Sequence, residues 1–348
     1  MKLVIVADLH FQGKILKDKT VAWDNVVDKI LEMKADRVNL AGDVFHKSNI
    51  ADREASMGTI YRPFMDGVNR LTGAGIVVEI DQGNHDMATG DQKSALEPIK
   101  DAGIRVVDTF GQTTEGDDFI VCHIPWIADT EERQKNLAIW LTEIKRLFRG
   151  NRSKCKIVVG HIMVKGAQLN SGVCLRKGSF EVDPEILDDL GADVIAFGDI
   201  HKRQRYYVGA MSQNNFGEEG NPQGFMVVDT EKRTHEFIEI AAPQYRTIEV
   251  EKDSSADVIG LPGDYLKVRY LSKPNPLMLE TLQNDPRFKN ITIEIVPERV
   301  APVRQVEGVE AGRSDADLLD AYLKSQGRND VDRARIAGVA RELAGELR

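Results

Sequence analysis

The first 200 residues alternate short apolar runs with longer segments of helical periodicity. The runs are rich in Val and Ile, and each has the length of a buried strand. They occupy 3–7, 37–41, 76–80, 104–107, 119–124, 156–160 and 193–197. Apolar residues recur at helical spacing in the segments 20–34, 52–72, 92–102, 130–148 and 183–190. This order of elements predicts an α/β fold.

The pattern changes after residue 206. Short strands are predicted near 225–229, 235–240 and 245–250, with no helical segment between them. An α/β half followed by a β-rich half predicts two packed mixed β-sheets flanked by helices, in one domain over 1–250. The carboxyl ends of parallel strands meet at one edge of such a sheet, and open α/β sheets place their sites there.

A smaller unit follows the first domain. The segment 265–271 reads as a strand, 275–284 as a helix and 290–296 as a second strand. This is the order of a βαβ unit, and it predicts a small second domain over 251–298.

The end of the chain is predicted to be a linker followed by two helices. Residues 299–313 contain prolines, glycines and several charges, which is typical of a linker. In the second helix of 314–348, apolar residues form one stripe; they are Ile336, Val339, Ala340, Leu343 and Leu347. We expect these helices to dock on a partner; the alternatives are packing on their own domain or on a second copy of the chain.

Composition indicates an ordinary globular protein. The chain has 348 residues, of which 42% are hydrophobic and 29% charged, and its net charge is −9. No stretch approaches the roughly 18 apolar residues that a membrane helix needs, so we expect no membrane association. The apolar run after Lys2 ends at Asp8 and reads as a first strand rather than a signal peptide. The three cysteines have no C-x-x-C spacing, which favours a reducing compartment, the cytoplasm.

Several of the predicted strands end in side chains that bind metals. These side chains are Asp8, His10, Asp43, Asn84, His161, Asp199 and His201. Asp8 and His10 are two residues apart, so strand alternation would put both on one side. Gly42 allows a tight turn before Asp43, whose two oxygens could bridge two ions. Mixed oxygen and imidazole ligands predict a site for two divalent metals, and they suit manganese, iron or zinc better than calcium.

One histidine next to this set is predicted to be catalytic rather than a ligand. His85 directly follows Asn84, so its ring cannot easily bind the same ion, and Asp86 could hold that ring in one tautomer. A histidine beside two metals is suited to protonate a leaving oxygen, which predicts hydrolysis of a phosphate ester.

The sequence gives less support for a role in the site to the remaining histidines and to a cysteine in a loop. His46 lies near the predicted cleft, and the sequence favours equally a residue that contacts the substrate and one that does not. His123 is expected to be a packed strand residue, and His235 to be solvated. Cys174 has no obvious activating base, so we do not expect it to be a nucleophile.

Basic residues are frequent on the loops near these strand ends. They are Lys165, Arg176, Lys177, Lys202, Arg203 and Arg205. Any one of them alone would be an ordinary solvated charge. Six in one neighbourhood of an acidic protein predict contacts with phosphate groups of the substrate.

The strand-end motifs resemble those of the calcineurin-like metallophosphoesterase superfamily, and within it the SbcD-type DNA repair exonucleases. The motifs are Asp8-x-His10, Gly42-Asp43-Val44-Phe45-His46, Gly83-Asn84-His85-Asp86, Gly160-His161 and Gly198-Asp199-Ile200-His201. Three further stretches are similar to that subgroup: 161–167, 207–229 and the residues around Pro243 and Arg246. The likeness covers about 1–250 well. The βαβ unit at 251–298 is similar in outline to the capping domain of that family.

The resemblance implies a nuclease that usually uses Mn²⁺, with Mg²⁺ as the alternative. It implies exonuclease activity on DNA ends, some endonuclease activity on single strands, and an SMC-like ATPase partner of the SbcC type. By match, one metal takes Asp8, His10, Asp43 and His201, and the other takes Asp43, Asn84, His161 and residue 199. His85 matches the catalytic histidine.

One ligand departs from the pattern of that family. The last motif usually reads Gly-His-x-His, whereas this chain has Asp199 at the first of the two positions. Our hypothesis is that the site is kept and tuned toward a harder ion.

Two other functions fit the same scaffold. A metallophosphatase or cyclic-nucleotide phosphodiesterase would act on a small substrate, but it would have little use for the C-terminal module and helices. A binding scaffold with a decayed site would not need the nearly complete ligand set or His85.

Overall fold

The computed structural model describes residues 1–46, 57–87, 94–128, 130–170, 181–250, 264–271 and 290–295, and isolated positions at 276, 280, 284, 319, 323, 335 and 336. The chain divides into two compact units, Met1–Ile295 and Val296–Arg348. In the second unit the described positions are all helical. No helix in the described part of the chain is long and apolar enough to cross a membrane.

The helices are α1 (Leu16–Glu32), α2 (Met57–Gly73), α3 (Glu97–Asp101), α4 (Glu131–Gly150) and α5 (Pro184–Asp188). The strands of the first half are β1 (Lys2–Val6), β2 (Arg37–Ala41), β3 (Val77–Asp81), β4 (Arg105–Val107), β5 (Thr113–Glu115), β6 (Phe119–Ile124) and β7 (Cys155–His161). The later strands are β8 (Met163–Val164), β9 (Glu181–Val182), β10 (Val194–Gly198), β11 (Gly224–Asp229), β12 (Thr234–Glu239), β13 (Tyr245–Val250), β14 (Tyr265–Tyr270) and β15 (Asn290–Ile295).

Two mixed sheets form the main body. The larger has six strands in the order β12-β11-β1-β2-β3-β4, in which β1 to β4 are parallel and β11 is antiparallel to both of its neighbours, β1 and β12. The smaller has the order β10-β7-β6-β5, with only β5 antiparallel. A pair of short strands, β8 and β9, lies beside them. The predicted fold of two mixed sheets is confirmed.

Side-chain alternation along β1 explains the layers. Leu3 and Ile5 belong to the apolar cluster that also contains Ile157 and Val159 of β7, so this cluster lies between the sheets. Val4 and Val6 point to the other face and pack with the helices, including Trp23 of α1 and Phe64 of α2. Strands covered on both faces read as continuous apolar runs, which is the pattern in the sequence.

A second helical layer covers the smaller sheet. Leu137, Trp140 and Ile144 of α4 pack with Cys122 of β6 and Val158 of β7. Apolar residues are therefore buried between the two sheets and between each sheet and the helices that cover it.

A third sheet contains the parallel strands β13, β14 and β15. Its last two strands confirm the two strands predicted for the βαβ unit, and positions 276 and 280 between them are helical. Strand β13 pairs with β14 over its whole length, from Tyr245↔Tyr265 to Val250↔Tyr270. The domain boundary predicted at 250 therefore passes through this sheet. The predicted linker 299–313 lies outside the described residues.

Candidate metal centre

The candidate ligands come together because five strands end at the same edge of the two sheets. Asp8, Asp43 and Asn84 follow β1, β2 and β3, while His161 ends β7 and Asp199 follows β10. The loops after β1 and β2 are joined by main-chain hydrogen bonds, including His10 N to Asp43 O at 2.9 Å. Parallel strands from both sheets thus present their carboxyl ends to one volume.

The backbone at this edge is bent into the left-handed region. Asp8, His10 and Asp43 have φ values of 53°, 50° and 51°, and Asp199 has 92°. Such angles cost a non-glycine residue free energy, of order 1–3 kcal/mol each, and they concentrate at functional sites. The side chains of Asp8 and His10 are therefore placed by the turn after β1 and not by strand alternation.

The glycines of the motifs allow the loops to approach closely. Gly42 has φ 84°, and a Cβ there would lie 2.2 Å from Nδ1 of His161. A Cβ on Gly83 would lie 2.2 Å from both the main-chain nitrogen and Oδ1 of Asp43. Any larger residue would force the ligand loops apart.

The first ligand group contains Asp8, His10 and His201. The Nε2 atoms of His10 and His201 are 2.9 Å apart, and Nε2 of His10 lies 3.5 Å from Oδ2 of Asp43. Nδ1 of His201 donates to Oε1 of Glu218 at 2.8 Å, which leaves Nε2 free to bind a cation.

The second ligand group lies on the other side of Asp43. Nε2 of His161 is 2.9 Å from Oδ1 of Asn84, 3.4 Å from Oδ1 of Asp43 and 3.7 Å from Oδ1 of Asp199. Nδ1 of His161 donates to the carbonyl of Ala41 at 2.9 Å, so Nε2 is again the free nitrogen. Asp43 turns one oxygen toward each group, as the sequence predicts for a bridging ligand.

The residues present fit divalent cations. Oδ2 of Asp8 and Oδ2 of Asp199 are buried and have no hydrogen-bond partner among the described residues. A buried acceptor without a donor costs free energy, and a cation would remove that cost. Both groups offer carboxylate oxygen with imidazole nitrogen, which are ligands for manganese, iron and zinc.

Burial governs the pKa values of these ligands. It lowers the pKa of His10, which favours the neutral form that binds metal. It raises the pKa of Asp43 to about 8 and also raises that of Asp199. Burial opposes protonation of His161, but the carboxylates of Asp43, Asp8 and Asp199 outweigh it and raise its pKa to about 9. The Asp43–His161 pair therefore holds a proton near neutral pH, which a bound cation would displace.

The sequence profile of the calcineurin-like phosphoesterases matches residues 1–203, more than half of the 348-residue chain. The chain belongs to this family. It is a metal-dependent hydrolase, with the donor set for two ions described above. No protein of curated function matches the sequence.

Three solved structures are similar to the phosphoesterase. A dimetal phosphatase from Danio rerio is 10% identical with a TM-score of 0.41, and the match covers 69% of this chain and 99% of that one. A protein of unknown function from Aquifex aeolicus is 14% identical, with a TM-score of 0.27 and coverage of 54% and 92%. The nuclease MPE from Pseudomonas putida is 18% identical, with a TM-score of 0.27 and coverage of 52% and 80%.

His85 lies at the accessible side of the phosphoesterase centre. Its Nδ1 donates to the main-chain carbonyl of His46, and its Nε2 is 4.0 Å from Oδ2 of Asp43. Its side chain is 37% exposed, whereas those of His10 and Asp43 are 2% and 3% exposed. A proton donor at this position can reach both the ions' ligands and a substrate.

Asp86 has a different role from the predicted one. It accepts hydrogen bonds from the main-chain nitrogens of Gly83 and Phe45 at 3.0 Å and of Val44 at 3.2 Å. Those bonds tie the loop after β3 to the loop after β2. The ring of His85 is oriented by the carbonyl of His46 instead, because the buried carboxylate of Asp86 points back into the loops.

His46 joins the cluster of imidazoles. Its Nδ1 is 3.4 Å from Nδ1 of His10, and its ring stacks on that of His85 with 5.3 Å between centroids. His10, His46 and His85 are close enough to share a cation.

The basic residues that are predicted to contact phosphate are mostly engaged with other side chains. Lys165 is paired with Asp183 at 3.0 Å and Arg205 with Asp188 at 2.7 Å. Lys202 donates to Gln168 at 3.2 Å, and the guanidinium of Arg203 lies 4.7 Å from the ring centre of Phe237. Arg176 and Lys177 lie outside the described residues.

Arg203 and Arg205 face away from the metal ligands. After His201 the chain folds back along β10, where Phe197 N donates to Tyr206 O at 2.7 Å. Both arginines therefore line a cavity of about 600 Å³ beside Val194, where β10 starts, rather than at the end next to His201. His235 lines the same cavity and is exposed.

His123 is a structural residue. It is fully buried, with Nδ1 3.1 Å from Asp81 and Nε2 3.0 Å from Thr114. Its backbone carbonyl accepts from the indole of Trp140 at 2.8 Å. The contact to Asp81 joins β6 of the smaller sheet to β3 of the larger one.

Two residues with a place at the site are missed by the sequence reasoning. Glu218 binds His201, and Trp126 places its ring 6.4 Å from that of His161. The stretch Asn215-Phe216-Gly217-Glu218 contributes to the family resemblance, but nothing in the sequence says which ligand its acid reaches.

Proposed function

We propose that the phosphoesterase is a DNA nuclease that uses two Mn²⁺ ions to hydrolyse phosphodiester bonds. We propose exonuclease action on DNA ends with some endonuclease action on single strands. The supporting observation is the position of His85, a partly exposed imidazole of fixed orientation beside two groups of metal ligands. That arrangement suits cleavage of a phosphate ester whose leaving oxygen needs a proton.

The chain's own residues have separable tasks in this reaction. The ions would supply charge neutralisation of the phosphate and an activated water. Asp43 holds the two ligand groups together. His85 keeps its Nδ1 proton on the carbonyl of His46, so Nε2 is the atom that would donate to the leaving oxygen.

An aromatic surface beside the centre favours a nucleic-acid substrate. Trp126 N donates to Gln82 O at 2.7 Å, and Nε2 of Gln82 donates back to Trp126 O at 2.9 Å, so the backbone of Trp126 is tied to the loop that carries Asn84. The guanidinium of Arg133 lies 4.5 Å from the centre of the indole. The indole is partly exposed, and an exposed indole can stack on a base of the strand being cut.

We also propose that an SMC-like ATPase of the SbcC type is the partner and that DNA repair or recombination is the setting. The support is the sequence resemblance and the apolar stripe of the C-terminal helices. Ile336 in that stripe is 37% exposed.

A phosphatase or cyclic-nucleotide phosphodiesterase is the second candidate. One observation favours it: Lys165 and Arg205 are neutralised by neighbouring acids, and Arg203 and Arg205 line a cavity away from the metal ligands. The surface offered to a long phosphate backbone is therefore less basic than the sequence predicts.

One set of assays distinguishes the two candidates. The full chain is incubated with end-labelled duplex DNA, single-stranded DNA, a cyclic nucleotide and a chromogenic phosphomonoester, each with Mn²⁺, Mg²⁺ or EDTA. We expect Mn²⁺-dependent shortening of labelled DNA that EDTA stops. Turnover of the monoester or the cyclic nucleotide with intact DNA would establish the second candidate instead.

A further inference from the structure

The imidazole of His201 is held from behind by a buried carboxylate. Oε1 of Glu218 accepts from Nδ1 of His201 at 2.8 Å, and Glu218 is only 2% exposed. Its other oxygen accepts from the main-chain nitrogen of Asn214 at 2.9 Å, and Nδ2 of Asn215 reaches Oε1 at 3.2 Å. The carboxylate therefore has little freedom, and it fixes both the tautomer and the direction of the ring.

Glu218 lies in a short turn that contacts the third sheet. The turn is the 3₁₀ segment Phe216–Glu218, followed directly by Glu219. The ring of Phe216 meets that of Tyr245 edge-on, with 5.0 Å between centroids, and Nζ of Lys267 lies 4.5 Å from the centre of Phe216. The main-chain nitrogen of Thr247 donates to Oε1 of Glu219 at 2.8 Å.

The same sheet is attached at a second point next to the turn. Tyr245 N donates to Oε1 of Gln213 at 2.8 Å, and Gln213 directly precedes Asn214, the residue that donates to Glu218. Tyr245 in turn stacks on Tyr265 with 4.4 Å between centroids. A displacement of this sheet would pull on both sides of the turn.

We propose that Glu218 is a positioning residue for His201, and that the turn 216–219 transmits the position of the sheet β13-β14-β15 to this metal ligand. A displacement of the sheet would then change how firmly an ion is held at Asp8, His10 and His201. The proposal rests on the metal centre of the family and not on DNA as substrate, so it can be tested whichever proposed function is correct.

The physical basis is the hydrogen bond from the imidazole to a buried carboxylate. This bond keeps Nε2 aimed at the ion and makes the ring a better donor. A shift of the turn would rotate the ring away, and the affinity for that ion would fall while the ligands around His161 keep their geometry.

Calorimetric titration of the metal-free full chain with Mn²⁺ tests the proposal directly. Glu218→Gln keeps the size of the side chain and removes its charge, and we expect one of two binding steps to weaken by about 10–100-fold. The other step should not change. Glu236→Gln on the exposed strand β12 is the matched control and should leave both steps unchanged.

The link to the sheet needs variants outside the metal ligands. Glu219→Gln weakens the contact to Thr247, and Phe216→Leu removes the ring contact to Tyr245 while keeping an apolar side chain. Each should weaken the same binding step as Glu218→Gln, and by less. In the Glu218→Gln background neither should add a further loss, because residues that act through one contact are not additive.

Visible absorption of the Co²⁺-loaded protein separates positioning from a general loss of structure. A displaced imidazole changes the band shape, whereas partial unfolding lowers the whole signal. The proposal is overturned if Glu218→Gln binds both ions as the parent does, or if the loss from Phe216→Leu adds fully to that from Glu218→Gln. If Glu218→Gln does not fold, unchanged binding in both Glu219→Gln and Phe216→Leu overturns it equally.

Discussion

His85 donates its Nδ1–H to the main-chain carbonyl of His46, and the two rings stack with an angle of 17° between their planes. The acceptor is a carbonyl, so this nitrogen must carry the proton, and Nε2 is the atom left for chemistry. The bond comes from the backbone, so no substitution of the His46 side chain removes it. The orientation of the candidate acid is therefore determined by the course of the loop after β2.

The first prediction concerns the proton that His85 would supply. We expect His85→Ala to reduce Mn²⁺-dependent DNA cleavage by about 10²–10⁴-fold, the range for loss of a general acid. Mn²⁺ binding should survive, since His85 is outside both predicted ligand sets. A diester with a nitrophenolate leaving group needs no protonation, and its hydrolysis should fall much less.

Comparing the loss of activity on DNA with the loss on the nitrophenyl diester tests whether His85 acts as an acid. Equal losses on DNA and on the nitrophenyl diester would show that His85 acts in some way other than as an acid. Unchanged DNA cleavage would remove His85 from the mechanism. Mn²⁺ titration of the same preparation distinguishes either result from a loss of metal.

The second prediction concerns the close approach at Gly83. A Cβ there would lie 2.2 Å from the main-chain nitrogen and Oδ1 of Asp43, and the backbone cannot move aside without shifting this ligand. We expect Gly83→Ala to destabilise the fold by about 1–3 kcal/mol and to weaken Mn²⁺ binding. Gly58 in α2 has open space around it, so Gly58→Ala is the control and should be neutral or stabilising by up to about 1 kcal/mol. Urea unfolding and Mn²⁺ titration measure both effects; equal behaviour of the two variants would contradict the prediction.

The layers and the strand ends could be predicted from sequence because their signals are local. A Val- and Ile-rich run that stops at Asp8 or His161 carries both the strand and the ligand at its end. Parallel strands then bring the ends together without further information.

The parts that the sequence could not predict depend on the path of the chain between elements. Strand β13 reads like a continuation of β11 and β12, yet it pairs with β14 across residues 251–263. Arg203 and Arg205 lie only two and four residues after His201, but the chain reverses there and takes them to the start of β10. Glu218 reaches His201 across 17 positions of sequence, a contact that no spacing rule predicts.

The third prediction concerns the buried thiols and pH. Burial raises the pKa of Cys122 to about 12 and that of Cys155 to about 11. In the unfolded chain the pKa of a thiol is about 8.5, so above that pH the unfolded state binds fewer protons than the folded state. The stability contributed by these thiols is therefore present below about pH 8.5 and is lost as pH rises toward 11 to 12.

Reaction with Ellman's reagent checks the same groups in the native state. In a Cys174→Ser variant at pH 8, we expect no reaction until urea unfolds the chain, because a buried neutral thiol is not a nucleophile. Rapid reaction of the folded variant would show that one of the two thiols is accessible.

The fourth prediction concerns the C-terminal helices and the proposed ATPase partner. Deletion of 314–348 should weaken binding of that partner more than nuclease activity on DNA. The point variant Ile336→Asp should weaken partner binding too, because it places a charge on the predicted apolar stripe at Ile336, which is 37% exposed. Arg335→Ala is the neighbouring control and should bind like the parent. Pull-down with the ATPase subunit and DNA cleavage by the same samples provide the two measurements; equal partner binding by the truncated chain would contradict the docking proposal.

The last prediction concerns Asp199, where the family pattern has histidine. Its Oδ2 is buried without a hydrogen-bond partner among the described residues, and its Oδ1 lies 3.7 Å from Nε2 of His161. A carboxylate here offers a harder ligand than imidazole, which favours Mg²⁺ and Mn²⁺ over Zn²⁺. In Asp199→His, we therefore expect the rate with Mg²⁺ to fall relative to that with Mn²⁺, while Zn²⁺ binds more tightly. Asp199→Asn keeps the size and removes the charge, so it should weaken all three ions together. The measurements are the rate with each ion and the metal content of the parent and the two variants. An unchanged ratio of the Mg²⁺ rate to the Mn²⁺ rate in Asp199→His would show that position 199 does not tune the site. One ion per chain in the parent would show the same.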